Sequence, residues 1–326
     1  MALLMRHANI LVLGGSGFIG SRLIAQLVSE GRRVIVVSRR YERVKHLAVL
    51  PTVELIIADI HQDDVLNGLL RRVDAVINLV GILHSRRGGG ATGYGPDFAR
   101  AHVALPTRIV TACVEHGVGR YLHMSALGAE RAAPSMYLRS KAAGEAVALS
   151  SPALATTVFR PSVVFGEGDA FLNLFARLQR WFPILPLGGA EARFQPIYVD
   201  DVARAFVNAL DNQATFGKTY ELGGPRAYSL RELVHLAGRY AGHERAVLGL
   251  PPALATLQAW MLEFAPGGPV MSRDNLDSMK VDNIMHGPIA PELHVHPVAL
   301  ESVASQYLGA AAAQSRFDEY RAKRVR

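Results

Sequence analysis

The sequence contains one cysteine, no long apolar run and no nucleic-acid-binding motif. A single Cys113 excludes internal disulfides and any cysteine-based zinc cluster. Because residues 109–114 are mostly apolar, we predict that Cys113 is a buried structural thiol. No window reaches the roughly 18–20 apolar residues of a membrane span, and residues 248–264 are interrupted by Pro251 and Pro252. Without a basic stripe interleaved with aromatics, nucleic acid is not an expected partner.

Charged residues are also few, at 19% of the 326 residues. Half of the residues are hydrophobic, so the chain can bury a large core. The net charge of +7 favours phosphate-bearing ligands, acidic partners or an anionic membrane surface. Only a few residues precede the first apolar strand, so we expect no secretory signal and a cytoplasmic location. A peripheral position at the inner face of the membrane is the alternative, since the basic end at 321–326 could contact lipid headgroups.

Short apolar runs alternate with amphipathic segments over the first half of the chain. The strand-like runs are residues 10–13, 34–37, 53–58, 75–80, 121–124 and 156–159. The helix-like segments are residues 18–29, 41–47, 63–71, 97–115 and 136–149. This alternation predicts an α/β fold, a Rossmann-type doubly wound parallel sheet over residues 1–165. A smaller mixed C-terminal lobe is expected over residues 166–326, with chain crossings back to the first domain.

Prolines break the second half into short elements. There, Ser229 and Glu232 predict a capping box at a helix start. Apolar residues 260–264 are expected on a core face, with a surface for a quinone, lipid or partner protein as the alternative. The glycine-rich residues 85–96 predict a mobile loop near the site or a plain flexible insertion.

A glycine-rich turn follows the first predicted strand and opens a helix. Gly14 permits the tight turn, Gly17 lets the backbone approach a pyrophosphate, and Gly20 allows close helix–strand packing. Phosphates at such a turn face helix N–H groups and the positive end of the helix dipole. The sequence therefore predicts a dinucleotide site on Gly14, Ser16, Gly17, Phe18, Ile19 and Gly20.

The end of the second strand indicates which dinucleotide is bound. NAD-preferring sites usually carry a carboxylate there, but this sequence has Ser38 followed by Arg39 and Arg40. A guanidinium suits a 2′-phosphate, so we expect NADP(H), with NAD(H) as the alternative. A solvated helix start is the competing interpretation of the arginines.

Further cofactor contacts are expected where the third and fourth strands end. Asp59 could accept a hydrogen bond from the adenine amino group, although an N-cap role competes, and Ile60 follows it. The backbone of Leu79, Val80 and Gly81 is expected to line the cofactor.

Tyr137 and Lys141 lie four residues apart at the start of a predicted helix, which places both side chains on one face. A nearby ammonium stabilises a phenolate and lowers the pKa of the phenol. The tyrosine could therefore exchange a proton with a substrate hydroxyl or carbonyl.

These motifs resemble the short-chain dehydrogenase/reductase superfamily, in its extended and atypical branches, over residues 8 to about 225. Segments 160–166 and 197–203 are also similar to motifs of those branches. The resemblance implies that Tyr137 is the acid/base and that Lys141 binds the nicotinamide ribose and depresses the tyrosine pKa. It also implies that Pro161 and Val163 contact the cofactor.

A closer resemblance runs nearly end to end, to the nucleotide-binding accessory subunit family of respiratory complex I (NDUFA-nine type) and its bacterial relatives. It is carried by residues 123–129, 137–145, 169–173, 195–202 and 272–275. It implies a protein that holds NADP(H) and whose own turnover is slight or absent.

One departure from the superfamily pattern concerns its third catalytic group, a serine or threonine at the end of the fifth strand. Alignment by eye puts Ala126 there, and a one-residue slip would give the role to Ser125. The asparagine that often supports the proton relay is replaced by His102, interpreted as a surface or hydrogen-bonded core histidine.

Three functions remain open. The first is an NADP(H)-dependent oxidoreductase or epimerase acting on a secondary alcohol or carbonyl of an unidentified small molecule, with Tyr137, Lys141 and Ser125 as catalytic residues. The second is a nucleotide-bound accessory or assembly protein of a membrane respiratory complex. The third is an NADP(H) redox sensor. No metal is expected.

Overall fold

The structure, a computed structural model, describes residues 6–86, 88, 93–265 and 270–309. Positions 87 and 89–92 of the glycine-rich segment and the basic end at 321–326 lie outside these residues. The chain forms two compact units. The first comprises residues up to 161 together with 199–222 and 285–296, and the second comprises 162–198, 223–284 and the residues from 297 onward.

Strands and helices alternate along most of the described chain. The strands are β1 (Asn9–Leu13), β2 (Arg33–Ser38), β3 (Val53–Ile57), β4 (Ala75–Asn78), β5 (Arg120–Met124), β6 (Ala155–Pro161), β7 (Val164–Phe165), β8 (Ile184–Leu187), β9 (Arg193–Phe194), β10 (Ile197–Tyr198), β11 (Lys218–Leu222), β12 (Tyr228–Ser229) and β13 (Ala246–Gly249). The helices are α1 (Phe18–Ser29), α2 (Asp63–Leu70), α3 (Pro96–Phe98), α4 (Leu105–His116), α5 (Met136–Ala148), α6 (Phe171–Trp181), α7 (Val199–Leu210), α8 (Leu230–Tyr240), α9 (Pro252–Leu262), α10 (Arg273–Ser278) and α11 (Leu300–Leu308).

A seven-stranded parallel sheet forms the centre of the first unit, in the order β11-β6-β5-β4-β1-β2-β3. Strands β4 and β5 are buried at every position, as apolar strands covered on both faces must be. The predicted Rossmann-type α/β fold is confirmed. Cys113 is fully buried on α4, and burial raises the pKa of its thiol to about 12, so the predicted structural thiol is confirmed as well.

Two helical segments differ from the prediction. Residues 41–47 form two short 3₁₀ helices, Tyr41–Arg43 and Lys45–Leu47, instead of one α-helix. The helix predicted over residues 97–115 begins with the short α-helix α3. It continues as the π-helical stretch Ala99–Ala104 and returns to α-helical geometry in α4, from Leu105 onward.

Arg120 is a fully buried cation that ties the sheet to the end of α7. Its guanidinium donates hydrogen bonds to the carbonyl oxygens of Leu210, Ala209 and Ala155, at 2.9, 2.7 and 2.6 Å. It also donates to the hydroxyl of Thr157 at 2.8 Å. The acceptors on Thr157, Ala209 and Leu210 belong to buried residues, so the guanidinium satisfies acceptors inside the fold.

We expect Arg120→Met to lower the free energy of unfolding by about 3 kcal/mol or more, because several buried acceptors lose their donor while little volume is removed. Urea unfolding followed by circular dichroism measures this loss. The control is Arg71→Met, an exposed arginine at the end of α2, for which a change within about 0.5 kcal/mol is expected. Equal stability of the two variants would contradict the role given to Arg120.

The second unit contains three two-stranded sheets, β7 with β10, β9 with β12 and β8 with β13. Helices α6, α8 and α11 pack around one apolar cluster that includes Leu172, Leu233 and Leu300. The predicted capping box of Ser229 and Glu232 opens α8.

The expectation that residues 260–264 face a core is wrong. Trp260, Met261 and Phe264 are exposed, and α9 buries only Ala255 and Ala259. Among the described residues, no helix has the length and hydrophobicity required to cross a bilayer.

Candidate cofactor and active site

The glycine-rich turn leads from β1 into α1 and leaves the start of that helix open. Gly14 has φ +81°, and its carbonyl accepts a hydrogen bond from Gly17 N–H at 3.0 Å. Gly17 is the N-cap of α1, no side chain caps this helix end, and its first turn carries no acidic residue. A Cβ at Gly20 would lie 2.6 Å from the Gly14 carbonyl oxygen, so only glycine fits there. A Cβ at Gly17 would meet only that carbonyl, at 3.2 Å, so this side of the turn is open.

These features fit the diphosphate of a dinucleotide, which needs free N–H groups, the positive end of a helix dipole and close backbone approach. The predicted residues Ser16, Phe18 and Ile19 lie within the same turn and the first residues of α1, and all three are partly exposed.

The end of β4 packs directly against this turn. A Cβ at Gly14 would lie 3.0 Å from both the carbonyl carbon of Leu79 and the nitrogen of Val80. Leu79 N–H donates to the Leu13 carbonyl at 2.9 Å, and Val80 N–H donates to the Asn78 side chain at 3.1 Å. The structure therefore brings the predicted residues Leu79 and Val80 beside the glycine turn, and Gly81 follows them.

The end of β2 presents two exposed arginines. The buried hydroxyl of Ser38 donates to the Arg40 carbonyl at 3.0 Å and accepts from its N–H at 3.3 Å, which fixes the turn that carries Arg39. Both arginine side chains are exposed.

Positive charge also accumulates at the end of β3. The pKa of His61 is lowered first by burial and then by Arg100, with further lowering by Arg108 and Arg39, while Asp59 opposes the shift. The Asp59 carboxylate accepts the His61 N–H at 3.0 Å, and the N-cap of α2 is Gln62, so Asp59 does not cap that helix. The neighbouring Ile60 packs against the main core cluster of the sheet.

Tyr137 and Lys141 occupy the first turns of α5, whose N-cap is Ser135. The Lys141 Nζ lies 6.0 Å from the centre of the Tyr137 ring and donates to the Met124 carbonyl at 3.2 Å. A Cβ at Gly81 would lie 3.0 Å from the same nitrogen, so the ammonium is next to the end of β4. The structure thus brings Tyr137, Lys141 and Gly81 together.

Burial dominates the pKa values of this pair. It lowers the pKa of Lys141 to about 8 and raises that of Tyr137 to about 12. The resemblance implied a tyrosine pKa depressed by the lysine, but in the protein alone the phenolate loses more from desolvation than it gains from an ammonium 6.0 Å from the ring centre. At neutral pH Tyr137 therefore holds its proton and can donate it.

The Lys141 shift predicts a pH dependence of stability. The native protein loses this proton near pH 8, whereas the unfolded chain keeps it to about pH 10.5, so stability rises with pH between these values. Because of this residue, we expect the free energy of unfolding to increase by about 2 kcal/mol from about pH 7.5 to about pH 9.5. Urea unfolding of nucleotide-free protein should show this rise, and Lys141→Met should lack it. The same pH dependence in both proteins would contradict the assignment.

The strand end beside Tyr137 carries a methyl group. Ala126 forms a small apolar cluster with Ala133 and Leu138, and Tyr137 packs against it. Ser125 is buried, and its hydroxyl has no hydrogen-bond partner among the described residues. Adjacent residues of an extended chain point to opposite sides, so the packing favours Ala126 as the neighbour of the tyrosine. A catalytic role for Ser125 stays a prediction.

His102 is a buried, hydrogen-bonded histidine. Its Nε2 accepts the Ile82 N–H at 3.1 Å, so Nδ1 carries the proton and donates to the Ser140 hydroxyl at 2.8 Å. That hydroxyl donates to the Tyr137 carbonyl at 2.7 Å. Burial lowers the pKa of His102 to about 2, with smaller contributions from Lys141 and His123. The ring therefore connects the backbone after β4 to α5.

Gly144 is a structural residue that sequence reasoning did not single out. A Cβ there would lie 1.9 Å from the His102 carbonyl oxygen, so glycine is what lets α5 approach the π-helical stretch. The available signal was a glycine inside a helix pattern.

Two further cofactor residues were expected, Pro161 and Val163. Pro161 ends β6 and pairs with Leu222 of β11, and its carbonyl accepts the Leu127 N–H at 3.1 Å. Val163 belongs to the second unit, where its N–H donates to the Asn283 side chain at 3.2 Å. In the described part of the chain, no three His, Cys, Asp or Glu side chains are grouped so that they could hold a metal ion.

Comparison with known proteins agrees with this geometry. Residues 10–223 match the NAD dependent epimerase/dehydratase family. The chain is 31% identical over 289 residues to the Arabidopsis thaliana protein "NADH dehydrogenase [ubiquinone] 1 alpha subcomplex subunit 9, mitochondrial", covering 84% of this chain and 70% of that protein. It is 27% identical over 256 residues to the 2-alkyl-3-oxoalkanoate reductase of Stenotrophomonas maltophilia. That match covers 70% of this chain and 74% of the reductase.

A solved structure with the same fold is the UDP-glucuronic acid 4-epimerase of Bacillus cereus in complex with UDP-glucuronic acid and NAD. Its TM-score is 0.67 at 20% identity, with coverage of 92% of this chain and 98% of that chain. With the family match covering more than half of its residues, the chain belongs to the NAD dependent epimerase/dehydratase family, and within it to the homologues of subunit 9 of the mitochondrial NADH dehydrogenase.

Proposed function

We propose that this protein binds NADP(H) and reduces a carbonyl group of a small molecule. The proposal rests on three parts of the first unit that are adjacent at the end of β4. These are the open start of α1, the backbone at the end of β4 and the Tyr137/Lys141 pair beside Gly81. The first two suit a diphosphate and the third suits proton transfer next to it.

The residues of the chain have separate roles in the proposed reaction. The glycine turn and the start of α1 hold the diphosphate, and Lys141 holds positive charge beside the end of β4. When bound, the nicotinamide supplies the hydride. Tyr137, protonated at neutral pH, donates the proton that the carbonyl oxygen needs as it becomes a hydroxyl.

Isothermal titration with NADPH and NADH, followed by native mass spectrometry of the purified protein, tests the cofactor part. We expect binding of NADPH at one site and retention of this nucleotide. The absence of heat with either nucleotide would refute the proposal. Carbonyl-dependent oxidation of NADPH, screened over small ketones and aldehydes, tests the reductase part.

The arginines at the end of β2 and the positive potential at His61 support the preference for NADP(H). We expect Arg39→Asp to shift the ratio of the NADPH and NADH dissociation constants about a hundredfold toward NADH, since a charge-assisted hydrogen bond is replaced by repulsion. Arg71→Asp changes charge equally at an exposed position at the end of α2 and should leave the ratio unchanged. An unaltered ratio in Arg39→Asp would remove the argument for a 2′-phosphate.

A second candidate function is a nucleotide-bound accessory protein of a membrane respiratory complex. The methyl group of Ala126 beside Tyr137, where the superfamily has a hydroxyl, and the similarity to subunit 9 of the mitochondrial NADH dehydrogenase favour it. Affinity purification from membranes at native expression levels should then recover respiratory subunits. Their absence, together with carbonyl reduction, would favour the enzyme.

A further inference from the structure

The second unit exposes an unusual number of large apolar side chains from three neighbouring segments. We call this set the apolar face; it consists of Trp181, Phe182, Ile184, Leu248, Leu254, Leu257, Trp260, Met261 and Phe264. Trp181 and Phe264 are 73% and 72% exposed, the largest fractions in the set. Soluble monomers rarely expose this many large apolar residues from neighbouring elements without a binding role.

Strand pairing and one side chain bring the three segments together. In the parallel pair of β8 and β13, Ile184 and Pro186 stand opposite Ala246 and Leu248, and all four are exposed. Helix α9 follows β13 and is attached to β8 by Gln258, which donates to the Pro186 carbonyl at 2.8 Å and accepts the Gly188 N–H at 3.2 Å. The sheet and the helix are therefore neighbours, and each exposes large apolar side chains.

Cations outnumber carboxylates along these segments. Residues 170–190 and 245–262 contain no Asp or Glu, but they contain Arg177, Arg180 and Arg245, all exposed. The Arg180 guanidinium lies 5.8 Å from the centre of the Trp181 ring. Three carboxylates lie at the ends of these segments, and each is paired with an arginine: Glu191 with Arg231, Glu244 with Arg239 and Glu263 with Arg273.

We propose that the apolar face binds the surface of an anionic lipid bilayer, with its aromatic and aliphatic side chains entering the acyl boundary and its arginines contacting lipid phosphates. Tryptophan at the interface, exposed Leu, Met and Phe, and an excess of cations are the pattern of interfacial membrane binding. The carboxylates at the edge are engaged in ion pairs with arginines, so the net charge of the surface is positive and suits anionic lipid. This inference does not rest on the proposed cofactor site, which lies in the other unit.

The intrinsic tryptophan fluorescence of the chain can be used to detect this contact. Its only two tryptophans, Trp181 and Trp260, both belong to the apolar face and are exposed. On addition of vesicles of phosphatidylcholine with phosphatidylglycerol, we expect the emission of the full-length protein to shift to the blue and to be quenched by brominated acyl chains. Pure phosphatidylcholine should give a much weaker response, and added salt should weaken binding to the anionic vesicles.

Two variants separate apolar from charged contributions. Phe264→Glu with Met261→Glu should reduce vesicle binding at least about tenfold, and Arg180→Glu with Arg245→Glu should reduce binding to anionic vesicles alone. Val49→Glu, an exposed apolar position of the first unit, is the matched control and should bind like the wild type. Circular dichroism and urea unfolding of each variant show that the fold is intact.

Two outcomes would overturn the proposal. One is the absence of a spectral shift and of co-sedimentation with anionic vesicles. The other is concentration-dependent self-association in sedimentation velocity that Phe264→Glu abolishes, which would assign the apolar face to a second copy of the chain.

Discussion

Replacing Tyr137 by phenylalanine is expected to lower carbonyl reduction about a thousandfold and to leave the NADPH dissociation constant within about twofold. The phenol is the proton donor that the geometry places beside Lys141, and burial keeps it protonated, with its pKa raised to about 12. Phenylalanine keeps the ring, and with it the edge contacts to Phe98 and His102, at centroid distances of 6.0 and 5.7 Å. The substitution therefore removes a proton donor and little packing.

The measurement is the single-turnover oxidation of bound NADPH by whichever carbonyl compound the wild type reduces, with the dissociation constant measured in parallel. Tyr41→Phe, an exposed tyrosine of the same unit, is the control and should leave both quantities unchanged. If Tyr137→Phe retains the wild-type rate, the tyrosine is not the acid, and the accessory function gains support.

Gly20→Ala is expected to weaken nucleotide binding at least about a hundredfold. A methyl group at this position would lie 2.6 Å from the Gly14 carbonyl oxygen and from the Gly15 Cα, both backbone atoms, so the turn must move. Displacement of the turn misaligns the N–H groups that face the diphosphate, and each charge-assisted hydrogen bond contributes about 1.5–3 kcal/mol.

Two further glycines make this experiment decisive. Gly68→Ala, in α2, has nothing within 4 Å of the new methyl and should leave binding unchanged while stabilising its helix by about 0.5–1 kcal/mol. Gly17→Ala contacts only the Gly14 carbonyl, at 3.2 Å, so the fold should survive, yet its methyl would occupy the open side of the turn. Full nucleotide affinity in a folded Gly17→Ala variant would show that the diphosphate does not bind there.

The parts of this fold that the sequence predicts correctly depend on local signals. The β1–turn–α1 unit is encoded within residues 9–29, where a buried strand, a turn with four glycines and an amphipathic helix follow one another. The Tyr137/Lys141 pair needs only the four-residue spacing of one helix face.

The parts that were missed depend on distant residues. Strand β11 (Lys218–Leu222) has polar residues at alternate positions and joins the sheet only through pairing with β6, some 60 residues earlier in the chain. The exposure of α9 could not be foreseen because the helix is apolar on all sides and has no periodicity to mark a buried face. The pKa of Tyr137 depends on burial, which spacing in the sequence does not reveal.

The burial of His102 also determines how this protein responds to acid. The unfolded chain gains a proton on this ring below about pH 6.5, whereas the native ring stays neutral to about pH 2, so the native state loses stability as the pH falls. His123, whose pKa burial lowers to about 3, adds a loss of the same sign. Acid should therefore inactivate the protein in one cooperative unfolding step, while molecules that remain folded keep the placement of α5 unaltered.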